Sequence, residues 1–219
     1  MEKIAKETLD KAISYETFRA LNAKMVLEGF TSGPNQSPIM LQYTEINDFR
    51  MKRLDRTTVL NEEIQSLLST IQSPLIFLSI TEAWCGDGAQ ILPVIDKIAS
   101  SSQHIEHNVI FRDEHPEVID AFLTNGARSI PIVIVLDATT FEVLGHWGPR
   151  PETAQAMVMD AKLAAENADS EELKKKIKLD SQSALQSWYA RDKTKSIQLE
   201  FGAFLAVSCL PLAVGEKLQ

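Results

Sequence analysis

Cysteine is scarce in this chain. Cys85 and Cys209 are the only two among its 219 residues, and they lie far apart. Two such cysteines form no disulfide framework that a sequence reveals, and a reducing compartment would keep both as thiols. They match no metal-binding spacing, and the four histidines are scattered along the chain. The sequence therefore predicts no metal site and no bound cofactor.

A surplus of positive charge is also missing. The formal net charge is −8, whereas general affinity for nucleic acid needs a concentrated positive surface. Residues 1–7 carry charges throughout and contain no apolar core of a signal peptide. We therefore expect a cytoplasmic protein that does not bind nucleic acid.

The apolar stretch at residues 201–214 is too short to cross a membrane. It is interrupted by Pro211, and a membrane span needs roughly 20 residues. We expect no membrane span. The segment is interpreted as a helix that docks on the rest of the chain or as a homodimer contact, and both interpretations stay open.

The stretch that carries the most chemical information is Trp84-Cys85-Gly86-Asp87-Gly88. It lies between a strand-like apolar run at residues 75–80 and a helical apolar pattern that begins at Ile91. Cys85 therefore falls where a strand becomes a helix. The N-terminus of a helix favours the thiolate, because unpaired N–H groups and the positive end of the dipole lie there. We expect an accessible, reactive cysteine, although the nearby Asp87 carboxylate opposes a second negative charge.

These residues, with Pro93 inside the following helix, resemble the active-site helix of thioredoxins. The passage from Asp113 to Pro116, followed by Gly126-Ala127-Arg128-Ser129-Ile130-Pro131 and an apolar run, resembles the thioredoxin segment that ends in a cis-proline. The matches keep their order and approximate spacing. The resemblance implies an α/β thioredoxin fold, with a mixed central sheet, helices on both faces and additional N- and C-terminal helices.

The chain also departs from the thioredoxin pattern. A thioredoxin uses two cysteines separated by two residues, because the second thiol must attack the mixed disulfide formed by the first. Gly88 stands at that second position here, and Ser79 stands where thioredoxins carry a buried acid. The chain thus looks like a degenerate member with a single cysteine, and the pattern Asn47-x-x-Arg50-Met51-x-Arg53 is similar to a little-characterised bacterial family of thioredoxin-like proteins. Dithiol oxidoreductase activity is not implied.

The resemblance places the Pro131 loop opposite Cys85, so that the Ile130 backbone could pair with an extended substrate at a shallow groove. The candidate catalytic residue is Cys85. The candidate substrate-binding residues are Trp84, Asp87, Gly88, Arg128, Ile130, Pro131 and Trp147. Ordinary packing is the alternative for the two tryptophans, and a surface position is the alternative for Arg128.

A basic stretch precedes the thioredoxin-like part. Arg50, Lys52, Arg53 and Arg56 place four cations close together. Such a run is usually a solvated helix face. The alternative is that one or two arginines point at the site and hold an anionic ligand or the thiolate, because the guanidinium presents a fork of donors.

The extent of the resemblance to thioredoxins divides the chain into three parts. Residues 1–72 are predicted to be a helical extension, in which Asn47-Asp48 is a possible cap. Residues 73–165 form the thioredoxin-like domain. Residues 166–219 form a C-terminal helical extension with the apolar tail, and Asp169 is its predicted cap.

Three functions follow from these features. The first is monothiol exchange, in which Cys85 attacks the disulfide of a protein or small molecule and an external thiol resolves the product. The second is a non-catalytic binding or scaffold module that keeps the groove. The third is an iron–sulfur cluster held by Cys85 of two chains with glutathione, as in monothiol glutaredoxins, although the Ile130-Pro131 loop looks more like that of a thioredoxin.

Overall fold

A mixed five-stranded sheet forms the centre of this computed structural model, which describes residues 3–209. The strands are β1 (Ile13–Ser14), β2 (Leu75–Thr81), β3 (Ile105–Phe111), β4 (Ile132–Asp137) and β5 (Val143–Trp147), in the spatial order β1-β3-β2-β4-β5. β2 runs parallel to β3, and the other three pairings are antiparallel. Every residue of β2 is buried, as its unbroken apolar run predicts for a central strand.

Helices cover both faces of the sheet. In chain order they are α1 (Lys6–Leu9), α2 (Tyr15–Glu28), α3 (Pro38–Thr57), α4 (Glu62–Thr70), α5 (Gly88–Ser100), α6 (Pro116–Ile119), α7 (Glu152–Glu166), α8 (Glu171–Asp192) and α9 (Lys195–Cys209). These elements confirm the α/β thioredoxin fold that the sequence predicts.

Two apolar cores follow from the alternation of side chains along the strands. Phe77 of β2 points to the larger core, which α5, α4, α8 and α9 cover. Ile76, Leu78 and Ile80 point to the smaller core, which holds α6 and the residue of greatest chemical interest, Cys85. Cys85 therefore packs in the smaller core, while α5, which begins three residues later, packs in the larger one.

The N-terminal region differs from the predicted pattern in two respects. The sequence predicts a helical extension over residues 1–72, but the strand β1 separates α1 from α2, since a two-residue edge strand leaves no periodicity to detect. The predicted cap at Asn47-Asp48 is wrong, because α3 is continuous through both residues. A cap does occur at Asn61, whose Oδ1 accepts the Ile64 N–H at 2.8 Å and begins α4.

The C-terminal helices differ from the prediction in the residue that caps α8. Ser170, not Asp169, caps α8, since its Oγ accepts the Leu173 N–H at 3.2 Å. α9 docks on the sheet through Phe201, whose ring meets Phe77 edge-on at 5.3 Å. The remainder of the predicted apolar tail, residues 210–214, lies outside the described residues. Among the helices that the structure describes, none combines the length and the apolarity needed to cross a membrane.

Candidate functional site

A pocket of about 1160 Å³ opens beside Cys85. Its walls are α3, the turn that begins α5, the segment 128–130, and the facing sides of α7 and α8. Of the residues predicted from the sequence, it brings together Trp84, Cys85, Asp87, Arg128 and Ile130. Gly88, Pro131 and Trp147 are not part of the pocket lining.

The Cys85 side chain is buried, with 6% of the residue exposed. Its Sγ accepts the Gly88 N–H at 3.3 Å, and the thiol donates to the Ile130 carbonyl oxygen at 3.4 Å. Burial first, and the Asp87 carboxylate second, raise the pKa of the thiol to about 12, while the Gly88 N–H acts in the opposite direction. The thiol is therefore less accessible and less acidic than its position at a helix start implies, because the apolar wall outweighs the helix N–H groups.

Gly88 is required by close packing rather than by a ligand. A Cβ on this residue would lie 2.5 Å from Thr81 Oγ1 and 3.5 Å from Cys85 Sγ. Real Cβ atoms do not approach other atoms so closely, so any side chain here would force Thr81 to move. The position that holds the second cysteine in thioredoxins is thus filled by the neighbouring strand.

Asp87 is held by two other parts of the chain. Arg150 donates to Asp87 Oδ2 through Nε at 2.8 Å and approaches it through Nη2 at 2.8 Å, and Tyr189 Oη donates to Oδ1 at 2.8 Å. Burial raises the pKa of this carboxyl, while Arg150 and Tyr189 act in the opposite direction. The carboxylate joins the start of α5 to α8 and to the segment before α7, and it brings a fixed charge close to the thiol.

Arg50 is the member of the basic stretch that reaches the pocket. Its Nη1 donates to Asn47 Oδ1 at 2.9 Å, and the Asn47 amide is in turn fixed by donation to the Ala83 carbonyl at 3.1 Å. Burial lowers the pKa of this half-buried guanidinium. Arg53 and Arg56 are exposed and are not pocket residues.

Trp147, a predicted substrate-binding residue, lies outside the pocket lining. The Trp147 ring packs against Phe201 of α9, with centroids 5.8 Å apart. The Ile130–Pro131 peptide bond is cis, and the carbonyl of Ile130 accepts the Cys85 thiol. Gly148 packs so tightly on this loop that a Cβ would lie 2.5 Å from the Pro131 oxygen.

Arg128 and Trp84 form the outer rim of the pocket. Arg128 is exposed and paired with Asp120 through two bonds of 2.6 and 2.7 Å. The Trp84 ring lies under the guanidinium of Arg112, with 4.9 Å between Arg112 Cζ and the centroid of the ring. Arg112 also pairs with Asp113 at 2.8 Å.

Ser79, at the position of the acid in thioredoxins, belongs to a separate polar chain. Its Oγ lies 2.9 Å from His107 Nε2, and His107 Nδ1 lies 3.2 Å from Asp96 Oδ1. The ring of Tyr15 stacks on His107. Ser79 and the His107 side chain are sealed in the interior, and none of the three residues lines the pocket.

Sequence reasoning missed the residues that complete the site. Arg150 and Tyr189 hold Asp87, and Gln186 bonds to Gln90 at 2.7 Å across the start of α5. The resemblance to thioredoxins ends before α8, so no motif pointed to Tyr189 or Gln186. Two prolines flank Arg150 in the segment Gly148-Pro149-Arg150-Pro151, which indicates an arginine with a restricted backbone. Nothing in this segment specifies Asp87 as its partner.

Comparison with known proteins places the fold in a family. The family model described as Thioredoxin matches residues 33–179. A crystal structure of a protein of unknown function from Pseudomonas aeruginosa is similar, with a TM-score of 0.57 and 17% identity over 94% of this chain and 99% of that one. An HIV epitope scaffold is also similar, with a TM-score of 0.51 and 18% identity over 89% of this chain and 99% of the scaffold. None of the curated proteins matches this sequence.

Proposed function

The chain belongs to the thioredoxin family, and we propose that it is a monothiol exchange protein for low-molecular-weight disulfides. The observation that carries the proposal is that Cys85 lines a pocket of about 1160 Å³ while Gly88 leaves no space for a second thiol. A pocket of this size holds a small molecule. The helices α7 and α8 flank it, so a small disulfide reaches the sulfur more easily than a protein strand does.

The exchange has two balanced steps. Cys85 loses its proton, and its thiolate attacks one sulfur of a disulfide, so that a mixed disulfide forms and the other half leaves as a thiolate that takes up a proton. An external thiol then attacks the mixed disulfide, which regenerates Cys85 and releases a new disulfide. The second step needs a small external thiol, which a reducing compartment supplies.

The residues around the sulfur have separate roles in this scheme. The Gly88 N–H hydrogen bond favours the thiolate at the moment of attack. Trp84 and Ile130 form the apolar wall against which the substrate lies. Burial, and after it the Asp87 carboxylate, raise the pKa of Cys85 and so limit the fraction of thiolate.

The test is formation and release of a mixed disulfide. The folded chain is treated with 2-hydroxyethyl disulfide, and the intact mass is measured for the wild type, Cys85→Ser and Cys209→Ser. We expect one adduct per chain, present in wild type and Cys209→Ser, absent in Cys85→Ser, and removed by added 2-mercaptoethanol. An adduct that persists in Cys85→Ser, or none in the wild type, would contradict the proposal.

A second candidate function is favoured by the burial of the thiol. With a pKa of about 12, Cys85 is almost wholly protonated at neutral pH, as in a pocket that binds a ligand without covalent chemistry. In that case Cys85→Ser would bind the same ligands as the wild type, and no mixed disulfide would form in the folded chain.

A further inference from the structure

The pocket beside Cys85 has a charge opposite to that of the whole chain. The chain holds 22 Lys and Arg against 30 Asp and Glu, yet the pocket lining contains seven cations and two carboxylates. Positive charge concentrated in a cleft raises the local concentration of anions. By this count of lining side chains, positive charge exceeds negative charge at the pocket.

Most of these cations are already neutralised by a carboxylate. Arg112, Arg128, Arg150, Lys162 and Lys174 each have an Asp or Glu oxygen within 4.0 Å. Within the described residues this leaves Arg50 and Lys178 without such a partner. Lys178 is exposed and hydrated, whereas Arg50 is half-buried.

Arg50 is also fixed in place. Its Nη1 donates to Asn47, a fully buried residue whose own amide is tied to the Ala83 backbone. The same Nη1 lies 3.7 Å from the position a Cβ would take on Gly86, the residue after Cys85. Among the described residues, the Asn47 amide oxygen is the hydrogen-bond partner found for this half-buried guanidinium, so donors remain for an oxyanion.

We propose that Arg50 binds a carboxylate of the substrate, so that the protein prefers anionic disulfides over neutral or cationic ones. This assignment names the substrate class and rests on the proposed exchange reaction. The carboxylate would lie a few bonds from the sulfur that Cys85 attacks, since Arg50 approaches the residue next to Cys85. Lys178 at the opposite wall adds positive charge to the entry without a defined contact.

The experiment compares three symmetrical disulfides of similar size: 3,3′-dithiodipropionate, 2-hydroxyethyl disulfide and cystamine. Their rates of adduct formation at Cys85 are measured by intact mass in the Cys209→Ser chain. Each rate is divided by the rate for the same chain unfolded in urea, which removes the intrinsic reactivity of each disulfide. We expect the corrected rate for the dianion to exceed that for the neutral disulfide by about tenfold, the size of one charge-assisted hydrogen bond.

Three variants assign this preference to Arg50. Arg50→Gln should bring the ratio of dianion to neutral disulfide close to one, and Arg50→Lys should retain part of it because the charge remains without the fork. Arg56→Gln, an exposed arginine on the same helix, should leave the ratio unchanged. An unchanged ratio in Arg50→Gln would overturn the assignment even if all three disulfides react.

A separate readout keeps this inference distinct from the exchange reaction. If no disulfide reacts with the folded chain, the proposed function fails, and anion binding is then measured with the unreactive thioether 3,3′-thiodipropionate against the neutral thiodiglycol. Shifts of the Trp84 indole NMR signal that occur with the dianion alone, and disappear in Arg50→Gln, support the role of Arg50. Equal shifts with both compounds, or none with either, contradict it.

Discussion

Two polar clusters on the same α5 contrast in their access to the pocket. Asp87, at its N-terminus, is held by Arg150 and Tyr189 and lines the pocket next to Cys85. Asp96, farther along, is linked through His107 to Ser79, which is sealed between helix and sheet. Ser79 occupies the position of the acid in thioredoxins, yet here it takes part in a structural hydrogen bond. The charge that influences the thiol has moved from the strand to the start of the helix.

The largest expected effect comes from breaking the first cluster. Asp87→Asn removes the carboxylate that neutralises Arg150 in a mostly buried position, and we expect it to lower the free energy of unfolding by about 3 kcal/mol. Asp96→Asn affects a partly exposed contact with His107 and should cost less than about 1 kcal/mol. Urea denaturation of both variants measures the difference, and equal losses would show that the clusters do not differ as described.

A second cysteine at position 88 tests how closely the strand approaches the helix. Gly88→Cys places a Cβ against Thr81 Oγ1, so we expect a loss of about 2 kcal/mol in the free energy of unfolding. Thr81 Oγ1 is buried and lacks a hydrogen-bond partner among the described residues, so adding Thr81→Ala should restore most of the loss. A Gly88→Cys chain as stable as the wild type would show that the position is not closed. Once the double variant folds, its disulfide-reductase rate shows whether a second thiol alone restores dithiol chemistry.

The raised pKa of Cys85 predicts a loss of stability in alkali. In the unfolded chain the thiol ionises near its ordinary pKa, but in the folded chain it stays protonated up to about pH 12. Between these values the unfolded state binds fewer protons, so the free energy of unfolding falls as pH rises, by about 2 kcal/mol for this group at pH 10.

The measurement compares Cys209→Ser with the double variant Cys85→Ser/Cys209→Ser by urea denaturation at pH 8 and pH 10. Only Cys209→Ser should show the fall in the free energy of unfolding that Cys85 causes between pH 8 and pH 10. The Cys85→Ser substitution also changes stability by itself, but that change is the same at both pH values and cancels when the two are subtracted. Identical changes in the two chains would indicate that the thiol ionises near its ordinary value and is not closed off by its apolar wall.

The smallest effect is expected from the second cluster. Ser79→Ala removes one hydrogen bond to His107 and should lower the free energy of unfolding by about 1 kcal/mol. Because Ser79 does not line the pocket, the pH dependence of Cys85 alkylation should remain that of the wild type. If the alkylation rate of Cys85 rose at a different pH in Ser79→Ala than in the wild type, the two clusters would be coupled.

Much of the central fold is visible in the sequence because its elements have strong periodicity. The apolar run of β2 and the helical spacing of α5 specify a strand and a helix, and the change between them locates Cys85. The two-residue β1 and the continuation of α3 through Asn47 could not be predicted, since neither depends on a local pattern.

The surroundings of Cys85 could be predicted only in part. Trp84, Asp87, Arg128 and Ile130 follow from the resemblance, whereas the pocket wall formed by α7 and α8 depends on how segments far apart in the chain pack. Tyr189 reaches Asp87 across 102 positions of the chain. Burial by these distant helices also decides the pKa of the thiol, which a motif alone does not reveal.

The most direct test is whether Cys85 reacts from within the folded pocket or only after the chain unfolds. The rate of adduct formation with 2-hydroxyethyl disulfide is measured for Cys209→Ser at increasing urea concentrations below the unfolding transition. If the pocket admits the disulfide, the rate constant stays nearly constant with urea. A rate that rises with the full denaturant dependence of global unfolding would show that Cys85 is reached only in the unfolded chain, and that result would contradict monothiol exchange at this site.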